Sequence, residues 1–156
     1  MRFALLAMVF MLSACQSNRH VDYVSEDAVT LVFSSDDLAA QPIICVPGKG
    51  IQETPMSVGI GGYKVLDDLN EAMKKSPEVR ATVASGTPVI AGFRYSQRSR
   101  IAARQRCERM VSFDAVAGQT YQLRLEKSPM CTITATRQEG DDWVEQDILD
   151  SNPTCH

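Results

Sequence analysis

Apolar and polar positions alternate through the second half of this chain. In 107–113 (CERMVSF) Cys107, Val111 and Phe113 share one parity; in 120–125 (TYQLRL) Tyr121, Leu123 and Leu125 do so; in 131–136 (CTITAT) it is Cys131, Ile133 and Ala135. Successive side chains of a strand point to opposite faces, so each set should line an inner face. Runs rich in β-branched and aromatic residues predict further strands at 28–33 (AVTLVF), 43–46, 79–84, 89–95 and 143–148. Turn signals punctuate them at Pro47-Gly48, with Gly48-Lys49-Gly50 as a turn, at Ser85-Gly86-Thr87-Pro88, and at 115–119 around Gly118; Gly59, Gly61 and Gly62 make their stretch flexible or bulged. One segment, 65–75 (VLDDLNEAMKK), has helical spacing at Leu66, Leu69 and Met73, with acidic residues early, lysines late and Ser76-Pro77 as a stop. Its narrow apolar stripe reads as core packing. The expectation is a mainly β domain, an antiparallel sandwich or barrel of about eight strands with one short helix.

The start of the chain has a different character. Met1-Arg2 precedes an uninterrupted apolar run over 3–11, then Leu12-Ser13-Ala14-Cys15, after which the sequence turns polar at Gln16. A basic start, a short apolar stretch and small residues before a break describe an export signal, too short to span a bilayer, which needs ~20 apolar residues. Leu12-Ser13-Ala14-Cys15 resembles the lipobox of bacterial lipoproteins at all four positions. That resemblance implies cleavage before Cys15, diacylation of its thiol and acylation of the new amino terminus. By similarity to enterobacterial sorting, Gln16 after the lipidated cysteine favours the outer membrane, with the domain on its periplasmic face. The chain then divides into a signal peptide (1–14), a lipidated cysteine and flexible polar tether (15–26), and a single β-rich domain (27–156).

With Cys15 taken by lipid, Cys45, Cys107, Cys131 and Cys155 remain. An even number in an exported chain reads as two disulfides, with three possible pairings. The chain has no CxxC, and its two histidines, His20 and His156, lie near the ends, so no metal site or other cofactor is expected. Parity turns Cys107 and Cys131 inward and favours joining them, which leaves Cys45 to join Cys155. In a flat three-strand meander those first two would stand about 9.5 Å apart, beyond the ~7 Å a disulfide tolerates. The pairing therefore requires the strand carrying Cys107 to lie in a facing sheet, or the loop before Cys131 to fold back.

The segment 83–135 also resembles, loosely, a pattern of small proteobacterial lipoproteins. An Ala-Ser-Gly-Thr-Pro turn (84–88) precedes a strand and is followed by Cys107, Phe113, Gly118, Tyr121 and Cys131. The resemblance implies a disulfide-stapled β-domain facing the periplasm and no particular activity.

A net charge of −3 over 156 residues argues against a nucleic-acid binder. The charge is unevenly spread. Arg94, Arg98, Arg100, Arg104, Arg106 and Arg109 form a basic strip, answered by Glu139, Asp141, Asp142, Glu145, Asp147 and Asp150 near the end. Such runs are usually solvated surface, or the two regions face each other. A sharper reading makes the strip an anion- or partner-binding surface, since the arginine fork grips carboxylate and phosphate. Catalysis finds little support: no histidine is placed as a base, no nucleophile elbow, HExxH or phosphate loop occurs, and the adjacent acids Asp67/Asp68 and Asp141/Asp142 diverge on a helix or strand. Trp143 is expected as a core or rim anchor. The sequence thus points to a non-enzymatic lipoprotein attached to the membrane through Cys15, binding a protein or envelope component. Two alternatives stand beside it: a module resembling periplasmic lysozyme inhibitors, contacting a basic target through the acidic tail from Glu139, and an envelope hydrolase.

Overall fold

The computed structural model describes residues 18–36, 40–54, 78–97, 105–126 and 130–155. These form nine strands: β1 (Val29–Ser35), β2 (Ala40–Val46), β3 (Gly50–Glu53), β4 (Val79–Val83), β5 (Val89–Gln97), β6 (Gln105–Phe113), β7 (Thr120–Glu126), β8 (Thr132–Glu139) and β9 (Asp142–Glu145). No helix occurs among the described residues. The helix expected over 65–75 lies outside them, as do the signal peptide, Cys15, Arg98, Arg100, Arg104 and His156.

The strands make a mainly β, sandwich-like fold of two sheets, ordered β4-β1-β7-β8-β9 and β3-β2-β5-β6. One expectation needs correcting. The larger sheet is mixed, because β1 and β7 run parallel from Thr30↔Thr120 to Ser35↔Leu125, while every other pair is antiparallel. Alternation within a strand records which face is buried and carries no information on direction. β3 was not expected either. Its GIQE sequence has one strong apolar residue, and it exists because β2 pairs along it from Ile43↔Glu53 to Val46↔Gly50. Gly48 and Gly50, both with left-handed φ (72° and 77°), make the turn between them.

Parity assigns the inner faces. Tyr121, Leu123 and Leu125 of β7 are buried while Arg124 and Glu126 are exposed, and Val89, Ala91, Phe93 and Tyr95 do the same in β5. Two aromatic pairs lock the sheets face to face, each with one ring from each sheet. Phe33 meets Phe93 edge-on at 5.6 Å, and Phe113 meets Tyr121 at 5.0 Å. The Tyr121 hydroxyl accepts a hydrogen bond from the Val116 N–H (2.9 Å), fixing the β6–β7 turn to the core. Replacing Tyr121 by Phe keeps the ring and removes that acceptor, so stability should fall by about 1 kcal/mol, read as a lower urea midpoint at unchanged slope. An unchanged midpoint would show that the turn does not depend on the hydroxyl.

Segments 18–24 and 146–155 run along the two open sides of the sandwich. At one, residues 18–24 bridge the edge strands: His20 N–H donates to Glu53 O (2.8 Å) and Glu53 N–H to Asn18 O (2.8 Å), while Tyr23 N–H donates to Thr82 O of β4 (3.1 Å). These residues fall in the span read from sequence as tether, yet from 18 onward they are bonded to both sheets. At the other side Gln146 N–H donates to Ala135 O of β8, and Leu149 and Asp150 exchange bonds with Ser112 of β6. Cys155 then joins Cys45 (Cα–Cα 5.6 Å), and Cys107 joins Cys131 (Cα–Cα 6.3 Å). The second bridge is reachable because β6 and β8 belong to different sheets, which resolves the distance problem of a flat meander.

Candidate functional site

The basic strip does not form one open cationic surface among the described residues. Arg94 of β5 donates from Nε to Glu108 of β6 (2.8 Å) and from Nη1 to Glu53 of β3 (2.9 Å). The carboxylates, Glu108 foremost, push its guanidinium pKa further up, so the charge is held and answered on the outer face of the smaller sheet. Arg106 and Arg109 are exposed on β6 and make no ion pair with a described residue. The partners of Arg94 are therefore Glu53 and Glu108, and no ion pair joins the strip's described members to the described acidic residues near the C-terminus.

The acidic region near the C-terminus is likewise left largely unanswered. Glu139 pairs with Arg137, but Asp141, Asp142, Glu145, Asp147 and Asp150 have no ionic partner among the described residues. They surround β9, a strand in an unusual position. The smaller sheet lies opposite β4, β1, β7 and β8, since β5 packs on β1 through Phe33–Phe93 and β6 reaches β8 through Cys107–Cys131. Among the described residues the larger sheet has one strand more, so β9 overhangs with no described strand opposite it. All four of its residues are exposed, although alternation would normally bury every second one. Trp143 and Val144, each 42% exposed, stand out from this strand, and Ile148 and Leu149 follow on the segment that crosses to β6.

The sheet edges are treated unequally. β3 and β4 are covered by residues 18–24, and Leu149 and Asp150 cover part of β6. Among the described residues β9 bonds only to β8, from Thr136↔Glu145 to Glu139↔Asp142. A bare edge invites pairing with another chain, and charged residues on a short strand limit that to suitable partners. Two copies of β9 would bring like charges together. Trp143, expected as a core or rim anchor, is not in the core; that Val144, Ile148 and Leu149 are exposed with it follows from the overhang, which strand patterning does not encode.

At the opposite side lies a cleft of about 570 Å³, walled by Ile44, Val46, Val83, Pro88 and Ile90 and rimmed by residues 20–24. His20 is buried in its wall, with Nε2 at 2.8 Å from Thr82 O. Asp27 ties this segment to the β4–β5 turn. It accepts from the hydroxyls of Ser25 and, at 3.0 Å, Ser85, which together hold its carboxyl below the usual range. Both sides offer apolar surface; among the described residues the β9 side adds a cluster of carboxylates without ionic partners and a strand bonded on one side, features that suit a protein interface. Comparison of the chain with known families, curated proteins and solved structures found no match, so the site is read from its own geometry.

Proposed function

We propose that this protein is a non-enzymatic lipoprotein, anchored through Cys15 in the outer membrane and facing the periplasm, whose sandwich binds a basic protein along β9. The observation that carries the reading is the bare, overhanging strand with Trp143 and Val144 exposed amid carboxylates that lack partners. Tryptophan is the side chain most often central to a binding hot spot, and a one-sign rim accelerates encounter and selects the opposite charge. A lysozyme-inhibitor-like module is the second reading, favoured by the same acidic edge because such a target is strongly basic.

A photo-crosslinking residue at position 144 in cells should trap one basic protein. Trp143→Ala should weaken the binding of that partner at least about tenfold, as a hot-spot truncation does. Crosslinks arising only from positions 106 and 109 would move the interface to β6 and overturn the assignment. Titration of lysozyme separates the two readings: inhibition at equimolar protein that Trp143→Ala abolishes supports the second, and full lysozyme activity removes it. Acyl labelling that disappears in Cys15→Ala tests the anchor.

A further inference from the structure

The large apolar side chains exposed among the described residues fall, Val116 aside, at two opposite sides of the sandwich. One group is Trp143, Val144, Ile148 and Leu149 on the β9 side, with Met130 before the start of β8; the other is Val21, Tyr23 and Val24. Val21 is 82% exposed and Val24 93%, which no folding requirement explains, since His20 between the sheets already fills the inward position of this segment. Arg19 and Lys49 are exposed on the same side, and the one acid set among these residues, Asp22, accepts a hydrogen bond from Thr82 N–H (2.9 Å).

The covalent chain restricts what this surface can face. Asn18 is bonded to β3, and it follows Cys15 by three residues. A fully extended chain covers at most ~3.6 Å per residue, so the folded edge lies within about 11 Å of the lipidated sulfur's own residue. That is comparable to the headgroup layer, which adds roughly 5–7 Å on each side of the hydrocarbon core. Resting on the reading that Cys15 is acylated, we infer that the β3–β4 side of the sandwich docks on the bilayer surface, with Val21, Tyr23 and Val24 seated at the headgroup–acyl boundary. Tyrosine is enriched at that depth, and Arg19 and Lys49 are placed to meet anionic headgroups. β9 lies four strand spacings across the same sheet from β4, roughly 19 Å away, and so faces the periplasm.

Trp143 is the chain's one tryptophan, which makes the geometry measurable. The full-length lipidated protein is reconstituted into phosphatidylethanolamine–phosphatidylglycerol vesicles, with and without lipids brominated near the carbonyl end of the acyl chain. In the Val24→Trp, Trp143→Phe variant the indole at 24 should lose at least half its fluorescence to brominated lipid, while the indole of the parent protein should lose almost none. Because Val24 is almost fully exposed, an unchanged urea midpoint should accompany the substitution. An unquenched indole at 24 in acylated, vesicle-bound protein overturns the docking alone. Absence of acyl mass on Cys15 overturns the anchoring reading, and the docking with it.

Discussion

Replacing Cys45 and Cys155 together by serine should lower stability by about 4 to 5 kcal/mol, the largest effect expected from removing any one covalent or polar contact here. The bridge closes a separation of 110 residues, and in the chain-entropy picture a loop of that length is worth about 4.8 kcal/mol; the Cys107–Cys131 bridge, across 24, is worth about 3.4. Against a typical total of about 5–15 kcal/mol, the first loss leaves a marginal fold. The local consequence matters more for function. Beyond β9 the chain is held by Gln146 on Ala135, by Leu149 and Asp150 on Ser112, and by this disulfide at its end. Without the bridge, residues 149–154 should exchange amide hydrogens much faster than in the parent, and binding along β9 should weaken as Ile148 and Leu149 lose the position that the Ser112 bonds give their segment. The check is a denaturation midpoint in urea with exchange rates at those amides. A midpoint within about 1 kcal/mol of the parent would mean that the main-chain bonds to Ser112 hold the segment unaided.

Side-chain pattern reported faces well and edges badly. The parities of Tyr121, Leu123 and Leu125, of Val111 and Phe113, and of Ile133 and Ala135 predict the buried faces, because burial acts directly on those side chains. The same logic, combined with a limit on disulfide length, left two ways to join Cys107 to Cys131, a facing sheet or a loop folded back before Cys131, and β6 lies in the sheet opposite β8. What depends on main-chain hydrogen bonding left no such trace. Asn18–His20 look like polar linker, yet their backbone pairs with Glu53; β3 looks like loop, yet β2 orders it. The parallel run of β1 beside β7 is likewise a property of topology. For the candidate site the difficulty was register. Arg94 stands in a conspicuous arginine run, but its cross-strand partner is Glu108, so it serves to clamp β5 to β6 and β3. The sequence left the acidic run either solvated or facing the arginine strip; among the described residues no ion pair joins the two, and the Arg137–Glu139 pair is the one that answers it. Among the described residues the sheets hold five strands against four, and this mismatch leaves β9 without a described strand opposite it and Trp143 exposed.

Gly92→Ala should be as damaging, and its sign makes the test sharp. In a strand interior, alanine normally improves on glycine by roughly 0.5–1 kcal/mol through the entropy of the unfolded chain. Gly92 is paired on both sides, with Ile43 of β2 and Met110 of β6. A Cβ placed there would meet Arg109 O at 2.0 Å, Met110 Cα at 2.7 Å and Arg109 C at 2.9 Å. All three are backbone atoms, so no rotamer change relieves the clash, and β6 must move away from β5. That movement pulls on the Arg94–Glu108 pair, on the Cys107 bridge and on the Ser112 contact that seats the C-terminal segment. Overpacking against side chains costs about 1–3 kcal/mol, and against a paired main chain the loss should reach at least about 3 kcal/mol. The measurement is again a urea midpoint, with near-ultraviolet circular dichroism to show whether the Phe113–Tyr121 contact loosens. A variant as stable as its parent would mean that β5 and β6 do not approach so closely at Gly92. If the loss is confirmed, partner binding in the surviving folded fraction becomes the decisive comparison. β9 is attached to β8 alone, so its affinity should persist wherever the larger sheet is intact, while the contribution of Ile148 and Leu149 should fall with β6.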